Sequence, residues 1–141
     1  MLRFALLAPL MTLMLTAQAP TPIKGVTGTR LFSGSDGQTH AEPINLSLVT
    51  GKDGTQQDLL KIAGIRFATR GPATSDDWHT APGRQYLVTL QGTVEIEIGD
   101  GKKVTAGPGS ILLIEDTTGK GHRATVVSKD DWHVLFIPIA K

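Results

Sequence analysis

Apolar residues recur along this chain in short runs with a two-residue period, and turn residues separate the runs. The clearest run reads TVEIEI at residues 93–98, where three aliphatic side chains alternate with two glutamates. Successive side chains of a strand point to opposite faces, so this run predicts a half-buried strand. The full set of predicted strands is Pro43–Thr50, Ile65–Thr69, Gln85–Gln91, Thr93–Ile98, Lys102–Ala106, Ser110–Ile114, His122–Ser128 and His133–Ile139.

The connections between these runs indicate antiparallel pairing. Gly99-Asp100-Gly101 is typical of a tight hairpin, because Asp and Gly tolerate the positive φ that such turns need. Only Gln56–Ala63 has the composition of a short helix, and an irregular segment is an equally good interpretation. Many short strands with almost no helix predict an all-β sandwich or barrel.

The N-terminal residues have the features of a secretory signal peptide. Arg3 precedes an apolar run that is too short to cross a bilayer as a helix, and Ala17-Gln18-Ala19 is a small-x-small cleavage site. We therefore expect a signal peptide at 1–19, a linker at 20–28 and one domain at 29–141 that is secreted or periplasmic, with no transmembrane span in the mature chain. Proline directly after the cut is unfavourable for processing, so an uncleaved N-terminal anchor is the alternative.

Composition excludes several classes of function. The chain has 14 Lys and Arg, and loss of the leader with its single Arg leaves 13 basic residues against 13 acidic ones. A neutral domain lacks the basic stripe that neutralises phosphates, so we expect no nucleic-acid partner. The chain has no cysteine, which excludes disulfides, a zinc–thiolate site and a thiol nucleophile.

The middle of the chain carries two polar motifs. The first contains His79 and Gln85 just before a predicted strand, and the second contains the turn Gly107-Pro108-Gly109, an apolar strand and then His122. These motifs resemble those of the small single-domain cupins, which are double-stranded β-helix (jelly-roll) barrels whose histidines converge inside the barrel. The resemblance covers about residues 29–140 and implies the same barrel here, with His79 and His122 as neighbours in a shared cavity.

The first cupin motif has two histidines that flank one residue, followed by a glutamate and a glycine. In this chain His79 and Gly92 match the first histidine and the glycine. Ala81 and Gln85 stand in place of the second histidine and the glutamate, and His122 matches the histidine of the second motif. The resemblance thus implies a divalent metal ion at His79, Gln85 and His122.

Two imidazoles and one amide would bind iron, manganese or zinc weakly without a further acid. Glu115 and Asp116, at the end of the strand before the second histidine, are the nearest acids in sequence. His40 becomes a further candidate if the N-terminal arm lies across the barrel mouth.

Strand parity indicates which polar side chains point inward. His122 shares a face with Ala124, which predicts an inward imidazole, and imidazole titrates near neutral pH. His122 and His79 are therefore the candidate catalytic residues. Gln85 shares a face with Leu87, which predicts an inward amide that either orients a ligand or is a satisfied core group.

Three further residues are candidate ligand contacts. Arg66 lies in a predicted strand, and an inward arginine would favour a carboxylate ligand. Thr118 and Lys120 lie in the loop Glu115–Gly121, which either contacts a ligand or is a tight turn that delivers the following histidine. His133 shares parity with apolar neighbours and is interpreted as a packed core or interface residue.

These observations support three hypotheses. The first is an exported cupin that binds a small molecule and performs acid–base chemistry such as isomerisation, epimerisation or elimination. The second is a metal-dependent, oxygenase-like cupin. The third is a non-enzymatic oligomeric module, in which the alternating residues Tyr86, Val88 and Leu90 form a homodimer face.

Overall fold

A computed structural model describes residues 26–46, 49–51, 54–56 and 60–141 of this chain. Within these ranges the regular secondary structure consists of β-strands. The strands are β1 Val26–Ser33, β2 Thr39–Leu46, β3 Val49–Gly51, β4 Gly54–Gln56, β5 Arg66–Arg70, β6 Gln85–Gln91, β7 Val94–Glu97, β8 Lys103–Ala106, β9 Ile111–Glu115, β10 Arg123–Val126 and β11 Trp132–Pro138. The predicted signal peptide lies outside the described residues. Over the described ranges, no helix is long and apolar enough to cross a bilayer.

The strands form two main sheets. The large sheet has the order β2-β1-β9-β6-β11-β5, with β1 and β9 parallel and every other pair antiparallel. The small sheet has the order β10-β7-β8, and β3 pairs with β4 in a separate hairpin. From β6 onward the chain passes back and forth between the two main sheets, which is the winding of a double-stranded β-helix. The fold is therefore an all-β double-stranded β-helix (jelly roll), as the sequence predicts.

The core lies between the two sheets and follows from strand alternation. Buried side chains of β6 and β11, such as Leu87 and Val134, form one cluster with Val94, Ile96 and Val126 of the small sheet. The predicted alternation over residues 93–98 is confirmed, because the three aliphatic residues are buried and the two glutamates are partly exposed. Burial of the apolar face thus fixes the register of each strand.

Gly92, the motif glycine, makes the turn between β6 and β7. Its φ is 72°, and a Cβ at this position would lie 2.5 Å from the carbonyl oxygen of Asp131. Only glycine combines that backbone conformation with so close an approach. The motif glycine therefore has a packing role here.

The largest differences from the predicted strand boundaries lie at the N-terminal end of the domain. The strand β1 was not predicted, and it includes Val26–Gly28, which the sequence assigns to the linker. The strand β2 begins at Thr39 rather than Pro43. In β1 only Leu31 is buried, so the strand has little alternation to detect and is held by its pairing with β2 and β9.

The segment Gln56–Ala63, predicted as a helix or an irregular segment, contains no helix where it is described, and its first residue ends β4. Residues 57–59 lie outside the described residues, and residues 60–63 are not helical. Ile62 instead forms an isolated β-bridge with Ile139. Pairing with the end of β11 thus replaces local helical hydrogen bonds.

Candidate functional site

The segment between β5 and β6 carries the first histidine to the edge of the small sheet. Ser75 bridges Thr125 of β10, and the N–H of Asp76 donates to the carbonyl of Ala124 at 2.9 Å. His79 continues this pairing with His122. The segment therefore acts as an irregular fourth strand beside β10, although its flanking strands belong to the large sheet.

The two motif histidines are neighbours in space. The N–H of His79 donates to the carbonyl of His122 at 3.0 Å, and the reciprocal bond measures 2.9 Å. This pairing sets both rings on one face, with 4.6 Å between their centroids and 56° between their planes. The prediction that the two imidazoles are neighbours is confirmed.

Gly121 permits this close approach. It directly precedes His122 and has a φ of 76°, which is in the left-handed region. A Cβ at this position would overlap the carbonyl group of His79. The Gly-rich loop therefore delivers the second histidine to the first one.

A buried carboxylate orients His122. Asp116 is fully buried directly after β9, and its Oδ2 accepts hydrogen bonds from His122 Nδ1 at 2.6 Å and from Thr39 Oγ1 at 3.0 Å. Its other oxygen, Oδ1, is buried and accepts no hydrogen bond from any described residue. A carboxylate on Nδ1 fixes both the orientation and the tautomer of an imidazole. Asp116 is therefore a positioning residue for His122.

Both imidazoles carry a proton on Nδ1. That atom of His79 donates to the backbone carbonyl of Asp77 at 2.8 Å, and a carbonyl oxygen can only accept. His122 Nδ1 donates to Asp116 in the same way. In the neutral form each ring therefore offers Nε2 as an acceptor, which suits a general base or a ligand to an electrophile.

The histidines line a small cavity between the sheets. The cavity has a volume of about 50 Å³ and is also lined by Gln85 and Ala81, the two positions at which this chain departs from the cupin motif. Gln85 is 7% exposed and shares its inward face with Leu87, as parity predicts. This volume holds about three or four water molecules, so a bound molecule has to be small.

An ion pair that the sequence analysis missed forms another part of the cavity wall. Arg70 and Asp76 both line the cavity, and Arg70 Nη1 donates to Asp76 Oδ2. The predicted strand stopped at Thr69, one residue short of Arg70. Parity with Ala68, which packs against the core, is the signal that could have placed this arginine inward.

Several predicted contacts lie elsewhere. Arg66 is exposed, with its guanidinium carbon 4.5 Å from the ring centroid of Phe136, and it does not line the cavity. Thr118 is exposed on a loop that is tied to Ser33, since the Ser33 hydroxyl donates to the Thr118 carbonyl at 2.9 Å. Lys120 is also exposed, and its Nζ lies 3.8 Å from the centroid of the Trp78 ring. The structure does not bring these three residues to the histidines.

The two remaining histidines also lie away from the cavity. His40 Nε2 lies 3.0 Å from the carboxylate of Asp36 in the turn that precedes β2, and it does not cross the barrel mouth. His133 lies on the outer face of β11, with its Nδ1 2.9 Å from Thr69 Oγ1. Of the two interpretations of His133, the core one is wrong, because its neighbours Trp132 and Val134 face the core instead, and the interface one stays a prediction.

Glu115 is engaged in ion pairs on the outer side of the large sheet. Its carboxylate lies 2.5 Å from Arg30 Nε and 2.5 Å from Arg84 Nη2. Burial raises the pKa of Glu115, but the hydrogen bonds from Arg30 and Arg84 outweigh burial and leave that pKa below its ordinary value. Glu115 is therefore not available to the cavity.

The donor set of the cavity does not fit a tightly held divalent ion. Among the described residues no group of three His, Cys, Asp or Glu side chains is placed to hold one. The two acids suggested by the sequence serve other partners: Asp116 binds Nδ1 of His122, and Glu115 binds two arginines. What remains beside the imidazoles is Asp76, which is paired with Arg70, and Gln85, a neutral ligand that divalent ions bind weakly.

Comparisons with known proteins show similarity at the level of fold. No protein-family model and no curated protein matches the chain. A cupin 2 conserved barrel domain protein from Salinispora arenicola is 12% identical, with a TM-score of 0.43 over 52% of this chain and 59% of that one. The polyketide cyclase RemF from Streptomyces resistomycificus is 17% identical, with a TM-score of 0.48 over 57% of this chain and 56% of that one.

A sugar phosphate isomerase of the cupin superfamily from Silicibacter pomeroyi is 11% identical, with a TM-score of 0.46 over 75% of this chain and 61% of that one. In all three comparisons the match spans less than two thirds of the other chain. The activities in these names belong to those proteins.

Proposed function

We propose that this protein binds a small carbonyl compound in the cavity and catalyses proton transfer on it, as in an isomerisation, an epimerisation or an elimination. The observation that carries the proposal is the pair of adjacent imidazoles, each with Nδ1 committed to an acceptor. An imidazole whose Nε2 can accept a proton within the cavity is suited to acid–base catalysis.

His122 is the proton carrier in this proposal. Its Nε2 accepts a proton from the carbon next to the carbonyl group, and Asp116 stabilises the imidazolium that results. The Gln85 NH₂ group donates to the carbonyl oxygen from the same cavity, and His79 can do so only when its Nε2 also carries a proton. Return of the proton to another position or another face of the substrate completes an isomerisation or an epimerisation. In an elimination, a leaving group departs from the carbon next to the deprotonated one and takes its bonding electrons with it.

Deuterium exchange tests the proposal on a panel of simple carbonyl compounds. The purified protein is incubated in D₂O with two- and three-carbon aldehydes, ketones and hydroxy acids, and exchange at the α-carbon is followed by NMR. We expect exchange above the buffer rate and a loss of about 100-fold or more in His122→Ala. His133→Ala, which removes a histidine on the outer face, should keep the wild-type rate. Equal rates in wild type and His122→Ala would contradict the proposal.

We also propose that the protein is exported, on the basis of the apolar N-terminal run and the cleavage site at Ala17-Gln18-Ala19. The intact mass of protein recovered from the native host tests this. A mature chain that begins at Pro20 is the expected result. A full-length chain in the membrane fraction would support the uncleaved anchor instead.

The homodimer remains a prediction, and one feature of the large sheet favours it. The strand registers align Ile111 with Val88, Val88 with Leu135, and Leu135 with Phe67 across four neighbouring strands. These residues point away from the core, and Phe67 is 73% exposed. An apolar row of this kind is typical of an interface, and two copies related by a two-fold axis can stack it against itself.

A further inference from the structure

We infer that the cavity selects a small carboxylic acid, and that Arg70 binds its carboxylate. The inference deepens the proposed function, on which it rests for the identity of the site, by naming the substrate class. It starts from the strand β5, where Arg66, Ala68 and Arg70 share the inward face. Only Arg70 of the two arginines lines the cavity that also contains the two histidines.

Arg70 is held in place from two sides. Its guanidinium carbon lies 5.8 Å from the ring centroid of Trp132, its cross-strand partner on β11. Trp132 is 2% exposed, and its Nε1 donates to Thr89 Oγ1 at 3.1 Å. On the other side Asp76 binds Nη1. A guanidinium fixed against a buried indole is ready to bind a planar oxyanion, because its donors match the geometry of a carboxylate.

The ion pair with Asp76 indicates the chemistry of the ligand. A guanidinium has five N–H donors, and the bond to Asp76 engages Nη1. Asp76 is the only carboxylate among the residues that line the cavity. Asp76 therefore binds Arg70 as the carboxylate of a ligand would. A ligand carboxylate would either replace Asp76 on Nη1 or bind the N–H donors that Asp76 leaves free.

The size of the cavity narrows the class further. About three or four water molecules fit, which corresponds to an acid of two or three carbons. Such a molecule can place its carboxylate on Arg70 while its remaining carbon atoms face the apolar side chains of Leu87 and Ile96. Its α-carbon then lies in the same small space as the imidazoles.

Calorimetric titration with defined probes tests the inference. Acetate and glycolate are the carboxylate probes, acetamide is the uncharged analogue of acetate, and chloride keeps the ionic strength constant. We expect acetate and glycolate to bind and acetamide to bind at least ~10-fold more weakly. Equal affinity for acetate and acetamide would overturn the inference.

Two opposite substitutions locate the carboxylate. Arg70→Gln should weaken acetate binding by ~10-fold or more, since it removes the charge-assisted hydrogen bonds. Asp76→Asn should strengthen acetate binding, because it removes the internal competitor; a purely structural ion pair would show no such gain. Arg66→Gln, on the same face of the same strand, is the matched control and should leave the affinity within about twofold. If Arg70→Gln does not fold, the acetate affinity of Asp76→Asn decides: a gain supports the carboxylate site, and no gain or a loss overturns it.

His122→Ala separates this inference from the proposed function. Acetate binding that depends on Arg70 but not on His122, combined with no deuterium exchange, would retain the carboxylate site and overturn the acid–base role. Deuterium exchange that depends on His122 but occurs equally with uncharged carbonyl compounds and in Arg70→Gln would overturn the carboxylate site and retain the acid–base role.

Discussion

The carboxylate of Asp116 binds His122 through one oxygen and leaves its other oxygen, Oδ1, buried without a hydrogen bond from any described residue. An unpaired buried oxygen costs about 1–3 kcal/mol, and native proteins seldom retain one without a functional reason. The same Oδ2 also accepts from Thr39, so both donors converge on one atom. The hydrogen bonds of Asp116 therefore hold the His122 imidazole in place but leave one carboxylate oxygen without a donor among the described residues.

Substitution of Asp116 by Asn should change the tautomer of His122. The amide keeps the shape of the side chain but removes the charge that holds the proton on Nδ1, as Asp does for catalytic histidines in general. We expect the ¹⁵N shifts of the His122 ring to move toward the other tautomer, together with a stability loss of about 1–3 kcal/mol in urea denaturation. Asp77→Asn is the control, because only the backbone carbonyl of Asp77 contacts a histidine. Unchanged ring shifts in Asp116→Asn would contradict the positioning role.

Replacement of Gly121 by Ala should separate the two imidazoles. The new Cβ would overlap the His79 carbonyl, and the backbone has a positive φ in addition. We expect a stability loss of about 1–3 kcal/mol from overpacking, with loss of the contacts between the two rings in NOE spectra. Gly101→Ala isolates the conformational part of the cost, since Gly101 has a φ of 79° and no atom lies within 4 Å of a Cβ there. If Gly121→Ala and Gly101→Ala lose the same stability, the close approach of residue 121 to His79 does not contribute to the cost.

Stability should depend on Glu115 at acid pH. Its folded-state pKa is lowered, so its contribution is fully present above the ordinary value of 4.5 and is lost as the pH falls through the folded pKa. Glu115→Gln should therefore be less stable than wild type at pH 7, by about 1 kcal/mol for a partly buried pair. The difference should shrink below about pH 4.5.

Urea denaturation from pH 7 to pH 3 provides the measurement for Glu115. Asp130→Asn removes an exposed carboxylate that forms no ion pair within the described ranges, and it should show a smaller dependence on pH. If the free energies of unfolding of wild type and Glu115→Gln differ by the same amount from pH 7 to pH 3, the ionisation of Glu115 does not contribute to stability.

The metal content of the protein should be low. Two imidazoles and an amide, with no acid free to join them among the described residues, bind a divalent ion weakly. Protein purified without added metal should contain less than about a tenth of an equivalent of iron, manganese or zinc by elemental analysis. A full equivalent that is lost in His79→Ala would establish the metal-dependent alternative.

The mass in solution tests the homodimer. If the apolar row on the large sheet is an interface, light scattering should give twice the mass of the mature chain, and Val88→Lys should give the monomer. Thr105→Lys, at an exposed position of the small sheet, should leave the mass unchanged. A monomeric wild type would exclude the assembly.

Much of this architecture could be predicted because the core faces alternate along the strands. Parity placed His122 and Gln85 inward, and burial of Ala124 and Leu87 on the same faces is the reason. The strand β1 could not be predicted in this way, since it buries only Leu31 and depends on two neighbouring strands. Local sequence carries little information about a strand that is held mainly by distant partners.

The polar half of the site was harder to predict. Asp116 directly follows β9 and continues the alternation of buried Leu112 and Ile114, so parity could have placed it inward, but its pairing with His122 depends on the path of the loop. Arg66 and Arg70 have the same parity, and only the three-dimensional path of the segment after β5, which brings Asp76 over the cavity, distinguishes them. The choice of Arg66 as a candidate ligand contact rested only on its place in a predicted strand.

The irregular fourth strand has a consequence for how such a protein can change. Residues 71–78 connect strands of one sheet yet carry His79 to the edge of the other, where it pairs with His122. An insertion or deletion in this stretch would re-aim His79 and Asp76 while the register of both sheets stayed intact. New specificity can therefore arise here through loop length, at the cost of hydrogen bonds between this stretch and β10 rather than of pairing within either sheet.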